Sequence, residues 1–108
     1  MCSTHLSVAG SEAQRVTNDA QCTEIGTLLR HDGRPQPVLL GGDVNRLGSC
    51  APGGYWTVTD EAAEQAAGIQ HVYGARSWFR RPRVRVIPMT FTDHDALLTT
   101  AVLRRPHR

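Results

Sequence analysis

The chain has no lysine, and all twelve of its basic residues are arginine. Against ten acidic residues they leave a formal charge of +2, too little to mark a polycation that holds nucleic acid by net charge alone. The exclusive use of arginine reads first as the codon bias of a GC-rich genome, although arginine also suits bidentate contact with phosphate. Cysteine is scarce and odd in number: Cys2, Cys22 and Cys50 form neither a C-x-x-C pair nor an even framework. Neither a structural zinc site nor a disulfide-stapled fold is therefore expected. No apolar run approaches the roughly 20 residues of a membrane helix. The first residues lack the basic region and apolar stretch of a signal peptide, and a shortened start would hide one, so the compartment stays open. The 108 residues suffice for one small domain with a modest core. No repeat, low-complexity tract or linker divides them.

What is present reads as alternating strand and helix. Met1 to Val8 alternates weakly and suits a short strand ending near His5. Ser11-Glu12-Ala13-Gln14 has the form of a capping box, and Val16, Ala20, Ile25, Leu28 and Leu29 predict one apolar face of a helix running to about Arg30. Pro37 to Gly41 is a compact apolar run, the pattern of a buried strand, with Asp43 and Asn45 just beyond it. Arg46 to Gly54 reads as a surface loop, with Tyr55 and Trp56 anchoring it on the core. A helical turn or two is expected over Asp60 to Ala67, then strands over Ile69 to Tyr73, Val84 to Met89 and Ala96 to Leu103. An arginine-rich turn, Arg80-Arg81-Pro82-Arg83, separates the first two of these strands. Residues 104–108 read as a frayed tail.

Three polar groups sit at strand ends: Thr4-His5-Leu6, Gly41-Gly42-Asp43-Val44-Asn45 and Thr92-Asp93-His94-Asp95. Carboxylates, an amide and imidazoles are the residue types a phosphoester hydrolase needs, to hold a hard cation, orient a water and transfer a proton at the phosphate. Taken singly, each has a plainer reading. Gly-Asp-x-Asn after a strand is an ordinary Asx turn, and Asp-His-Asp an ordinary polar loop.

In this order and spacing the three groups resemble the C-terminal half of the endonuclease/exonuclease/phosphatase superfamily, the DNase I-like metal-dependent phosphoesterases. The resemblance covers nearly all of this chain but only part of that fold. It implies an α/β sandwich of DNase I-like four-layer type, of which residues 1–103 would supply a mixed sheet, one main helix and the catalytic loops of one side. It implies that Asp43 orients or deprotonates the attacking water and that Asn45 holds that water or a phosphate oxygen. His94 and His5 would face the phosphate, and Asp93 would help build the site for Mg2+ or Mn2+. Gln21, in the helix between the first two groups, stands where the family often carries glutamine.

Two departures weaken the chemistry. The family's principal metal-binding glutamate lies upstream of the T-H-L strand and has no counterpart in this sequence; Glu12 and Glu24 fall in the helix. Gly68-Ile69-Gln70-His71-Val72 resembles a strand that normally carries an aspartate supporting the catalytic histidine, but Gln70 occupies that position. An amide can hydrogen-bond to an imidazole yet supplies no charge. His71 is assigned to packing, and His31 and His107 to loop and tail.

Arg76-Ser77-Trp78-Phe79-Arg80-Arg81, with Arg83 and Arg85, interleaves cations with aromatics. Such a composition can grip phosphates and stack on bases, with Arg80 and Arg81 as candidate substrate contacts, or it can form a solvated hairpin. The expectation is a nuclease-like phosphodiesterase, impaired in this chain, acting on a phosphoester substrate with nucleic acid among the candidates. The alternative is an inactive remnant or a phosphate-binding module. A half-sandwich bares an apolar sheet face, so self-association is expected as well.

Overall fold

The computed structural model describes residues 1–105. It is a mixed α/β structure with one helix and two sheets. In chain order the elements are β1 (Cys2–His5), α1 (Glu12–Asp32), β2 (Leu39–Asp43), β3 (Tyr55–Thr59), β4 (Gln70–Ala75), β5 (Arg83–Ile87) and β6 (Ala96–Thr100). The main sheet runs in the order β1, β2, β4, β3, and β5 pairs with β6 in a separate two-stranded ribbon. β1 lies parallel to β2, and the other pairs are antiparallel. No helix among the described residues is long and apolar enough to cross a membrane.

α1 begins where the capping serine directs, the Gln14 amide donating to Ser11 Oγ at 3.2 Å. It ends at Asp32, with the Gly33 amide donating to the Leu29 carbonyl at 3.0 Å. Tyr55 explains the glycine, because its hydroxyl donates to the same Leu29 carbonyl at 2.6 Å and occupies the space a Cβ at position 33 would need. The buried face of α1 is Asn18, Cys22, Ile25, Gly26 and Leu29, rotated from the expected one. Val16 and Leu28 are 65% and 44% exposed. The apolar periodicity misled because two positions on the true inner face do other work, Asn18 by hydrogen bonding and Cys22 by covalent bonding.

Cys22 and Cys50 form a disulfide, their Cα atoms 5.0 Å apart, which corrects the expectation that the cysteines stand unpaired. Twenty-seven residues separate them in sequence, so the pairing is a product of the fold and leaves no local signature. Only Cys2 is a free thiol, and it is exposed. The disulfide joins α1 to the loop after β2 and lies within the core of Leu6, Ile25, Leu29, Leu40, Val44, Tyr55, Tyr73 and Ala75. Leu29 and Tyr73 are fully buried, and burying a side chain of this size contributes roughly 1.5–3 kcal/mol.

Several expectations about the second half need correction. Tyr55–Thr59 is an edge strand, β3, paired with β4 in a register that sets Trp56 opposite Gly74. Residues 61–68 form turns rather than a helix, because the buried carboxylate of Asp60 draws the chain around itself. It accepts from the amides of Gly68 (3.0 Å) and Gln70 (2.9 Å) and from Gln70 Nε2 (2.8 Å). β4 and β5 belong to different sheets, so the arginine-rich segment between them crosses from sheet to ribbon instead of closing a hairpin. Of the expected tail, Arg104 is tied down by its amide on the Trp78 carbonyl at 2.8 Å, and residues 106–108 lie outside the described residues.

Candidate functional site

The register of the main sheet brings the first two polar groups together. His5 is the neighbour of Asp43 across the parallel β1–β2 pair, and Asp43 is the neighbour of Gln70 across β2–β4. These three positions lie side by side at one end of the sheet. The loop before β6 delivers the third group. His94 Nε2 lies 3.3 Å from Asp43 Oδ2, and His5 Nε2 lies 3.7 Å from the same oxygen. Asp93, 91% exposed, holds one carboxylate oxygen 3.7 Å from His94 Nε2. Histidines from two separate segments thus converge on one carboxylate oxygen.

The other oxygen of Asp43 is already used. Asp43 Oδ1 accepts the amide of Asn45 at 2.9 Å, an Asx turn that carries Asn45 into the left-handed region at φ 50°. The side chain of Asn45 turns inward and donates to the Leu6 carbonyl at 2.8 Å. In this structure Asn45 ties the end of β2 to the end of β1. It is a brace for the site more than a group presented to a ligand.

Two residues not anticipated as site elements hold this geometry. Asn18, buried in α1, donates to the carbonyls of Ser7 (2.8 Å) and Val44 (2.9 Å), and its Oδ1 accepts from Arg46 at 3.2 Å. Gln21, one turn on, accepts the amide of Ser7 at 2.7 Å. The signal in the sequence was a polar residue at a helix position whose i+4 and i+7 neighbours, Cys22 and Ile25, face the core. Asp95 is the second. Its buried carboxylate accepts from the amides of Glu64 (2.9 Å) and Met89 (3.2 Å) and from Gln65 Nε2 (3.3 Å), and these bonds, the Glu64 amide first, hold its carboxyl below the ordinary value. It anchors the loop that carries His94.

Gln70 points into this scaffold. Its Nε2 donates to Asp60 Oδ2 and, at 2.7 Å, to the Asp95 carbonyl, fixing β4 to the His94 loop. The buried Nδ1 of His94 has no hydrogen-bond partner. His94 therefore meets Asp43 on one nitrogen and nothing on the other.

His71 belongs to the core. Its Nε2 donates to the Gly68 carbonyl at 2.8 Å, and its Nδ1 lies 2.8 Å from the Tyr73 hydroxyl. The Tyr73 oxygen in turn accepts the Cys50 amide at 3.1 Å, so the hydroxyl proton is free to go to His71 and the neutral Nε2–H tautomer satisfies every atom. Burial holds the His71 ring below its ordinary pKa of 6.5. Arg80 and Arg81 lie away from these residues. Arg81 lines a groove on the β3 side of the sheet, and the Arg80 amide donates to the Val102 carbonyl at 2.9 Å.

For a divalent cation the donors are Asp43 and Asp93 with the two imidazoles. Among the described residues no group of three or more His, Cys, Asp or Glu is arranged to hold a metal ion. Asp43 has one oxygen committed to Asn45, and Asp93 projects into solvent. This donor set alone does not fit Mg2+ or Mn2+, which take near-octahedral oxygen coordination. Comparison of the chain with protein-family models, with curated proteins and with solved structures finds no match.

Proposed function

We propose that the cluster of His5, Asp43 and His94 is a phosphoester-hydrolysing site of the DNase I-like kind, with nuclease-type phosphodiesters as the substrate class. The observation that carries the proposal is the convergence of both imidazoles on Asp43 Oδ2, at 3.3 and 3.7 Å. A phosphoryl group entering between them would meet N–H donors for its oxygens and a carboxylate beside them that can accept a proton from water. His94 is the inner, half-buried donor and His5 the outer, exposed one. Asn45 and Asn18 keep the two strand ends at their spacing, and Gln70 holds the His94 loop on the sheet. A Mg2+ or Mn2+ ion, for which Asp43 and Asp93 alone would give too few oxygen ligands, would polarise the phosphoryl oxygen if further ligands completed its coordination.

A specific observation favours a second reading, a module that binds phosphate without turning it over. Nothing supports His94 on Nδ1, and Gln70 gives its amide protons to Asp60 and Asp95. One assay separates the two. The protein is incubated with bis(4-nitrophenyl) phosphate and with supercoiled plasmid, each with Mg2+, Mn2+ or EDTA. Metal-dependent cleavage lost about a hundredfold or more in Asp43→Ala and in His94→Ala supports hydrolysis. Retention of plasmid without cleavage, abolished by the same substitutions, selects the binding module.

A further inference from the structure

At the opposite end of β4 from the histidines lies a groove of 550 Å3 whose lining is cationic and aromatic. Arg76 follows β4, Arg81 comes from the crossover to the ribbon, and Arg104 follows β6. Trp56, Phe79 and Val84 provide its apolar walls. No carboxylate among the described residues lines it, although the chain as a whole carries nearly as many acids as bases. Three guanidinium groups sharing a groove with no counter-charge repel one another, and an anion removes that repulsion.

The details favour an oxyanion over a flat base. Arg104 is pinned by its Nε, which donates to the Arg76 carbonyl at 2.7 Å, leaving its terminal nitrogens without a partner among the described residues. The side chains of Arg76 and Arg81 make no hydrogen bond or ion pair among the described residues. The indole ring of Trp56 is packed over Gly74, where any Cβ would collide with it, and its buried Nε1 has no acceptor. Phe79 meets Trp56 edge-on, with centroids 6.3 Å apart, and is itself buried. The aromatic faces are therefore already covered, and what remains on offer is the N–H donors of the guanidinium groups. Planar guanidinium forks bind phosphate oxygens in pairs.

We infer that this groove is a phosphate-binding site, separate from the His5–Asp43–His94 cluster, in which Arg76, Arg81 and Arg104 hold the oxyanion of a free phosphate or of a phosphodiester strand. Gly74, opposite Trp56, stands four positions along β4 from Gln70, opposite Asp43, about 13 Å at the usual rise per residue. The site holds whichever chemistry the histidines perform.

Trp56 is the reporter. The chain has two tryptophans, so the 1H–15N spectrum has two indole N–H peaks, assigned with Trp56→Phe. The protein is titrated with inorganic phosphate, with pyrophosphate and with a twelve-residue oligothymidylate, at constant ionic strength set with sodium chloride. The expected result is a saturable shift of the Trp56 peak, with affinity falling about tenfold or more in the Arg76→Gln/Arg81→Gln double variant and kept in His94→Ala. Response to the small anions marks a free-phosphate site, and response to the oligonucleotide alone marks a strand-binding one. A Trp56 peak that none of the three moves, or that chloride moves equally, overturns the inference. So does a shift undiminished in the arginine variant, or one lost in His94→Ala.

Discussion

Leu29 on the inner face of α1 and Tyr73 on β4 have no exposed surface, whereas Val84 and Leu98 of the β5–β6 ribbon leave 41% and 48% of theirs to solvent. The helix-covered face is closed by apolar contact and by the Cys22–Cys50 bond. The ribbon is joined to the rest by polar contacts, above all the donors gathered by Asp95 and the Gln70 bond to its carbonyl. His94 rides on the ribbon side and Asp43 on the closed side, so the candidate site lies across the seam between a region held by burial and one held by hydrogen bonds. Such a seam would let one side of the candidate site move relative to the other without disturbing the core.

The largest expected effect falls on the closed region. Opening the disulfide in Cys50→Ala, or by a reductant, frees a loop of sequence separation 28 and should cost roughly 3–4 kcal/mol on a chain-entropy basis. The urea midpoint measures it, and a midpoint indifferent to reductant would show that the bond constrains nothing. Asp60→Ala comes next, at about 3 kcal/mol, since it strands the amides of Gly68 and Gln70 in a buried turn. The same titration checks that loss, and a change below about 1 kcal/mol would mean water replaces the carboxylate freely.

Asp95→Ala should sharpen the contrast. Amide exchange in β5 and β6 is expected to quicken roughly tenfold or more while α1 keeps its protection. Equal acceleration in both regions would mean that they open as one unit. A smaller, graded effect is expected with pH. An unfolded His71 gains a proton near 6.5 while the buried ring resists, so stability should fall as pH drops below that value and level off once the folded ring is protonated too. For Asp95 the folded carboxyl titrates below the ordinary 3.8. Its contribution is complete above 3.8 and is lost as pH falls through the folded value. Thermal melts across this range should thus show two acid-side decrements, the upper one absent in His71→Gln. Persistence of the upper step in that variant would assign it to another group.

Much of the architecture was legible from local pattern. The helix, its serine cap and five of the six strands follow from periodicity and turn residues, with ends shifted by a few positions. β3 was not read as a strand, although Tyr55-Trp56-Thr57-Val58-Thr59 is rich in aromatic and β-branched residues; the glycines before it made the aromatics look like loop anchors. The disulfide and the roles of Asn18, Asp60 and Asp95 depend on partners 6 to 31 residues away, which spacing along the chain cannot reveal. That His5, Asp43 and His94 would lie together was legible through their resemblance to a known pattern. That Asn45 faces inward, and that Gln70 serves the scaffold, became visible only with the backbone in place.

Asn18 has a consequence for how the site can be lost. One side chain holds the carbonyls that follow both β1 and β2, so the two strand ends carrying His5 and Asp43 cannot fray one at a time. Rupture at the helix releases them together. Each would otherwise loosen gradually on warming, but a shared anchor turns two gradual losses into a single step, and the pair behaves as intact or absent with little between.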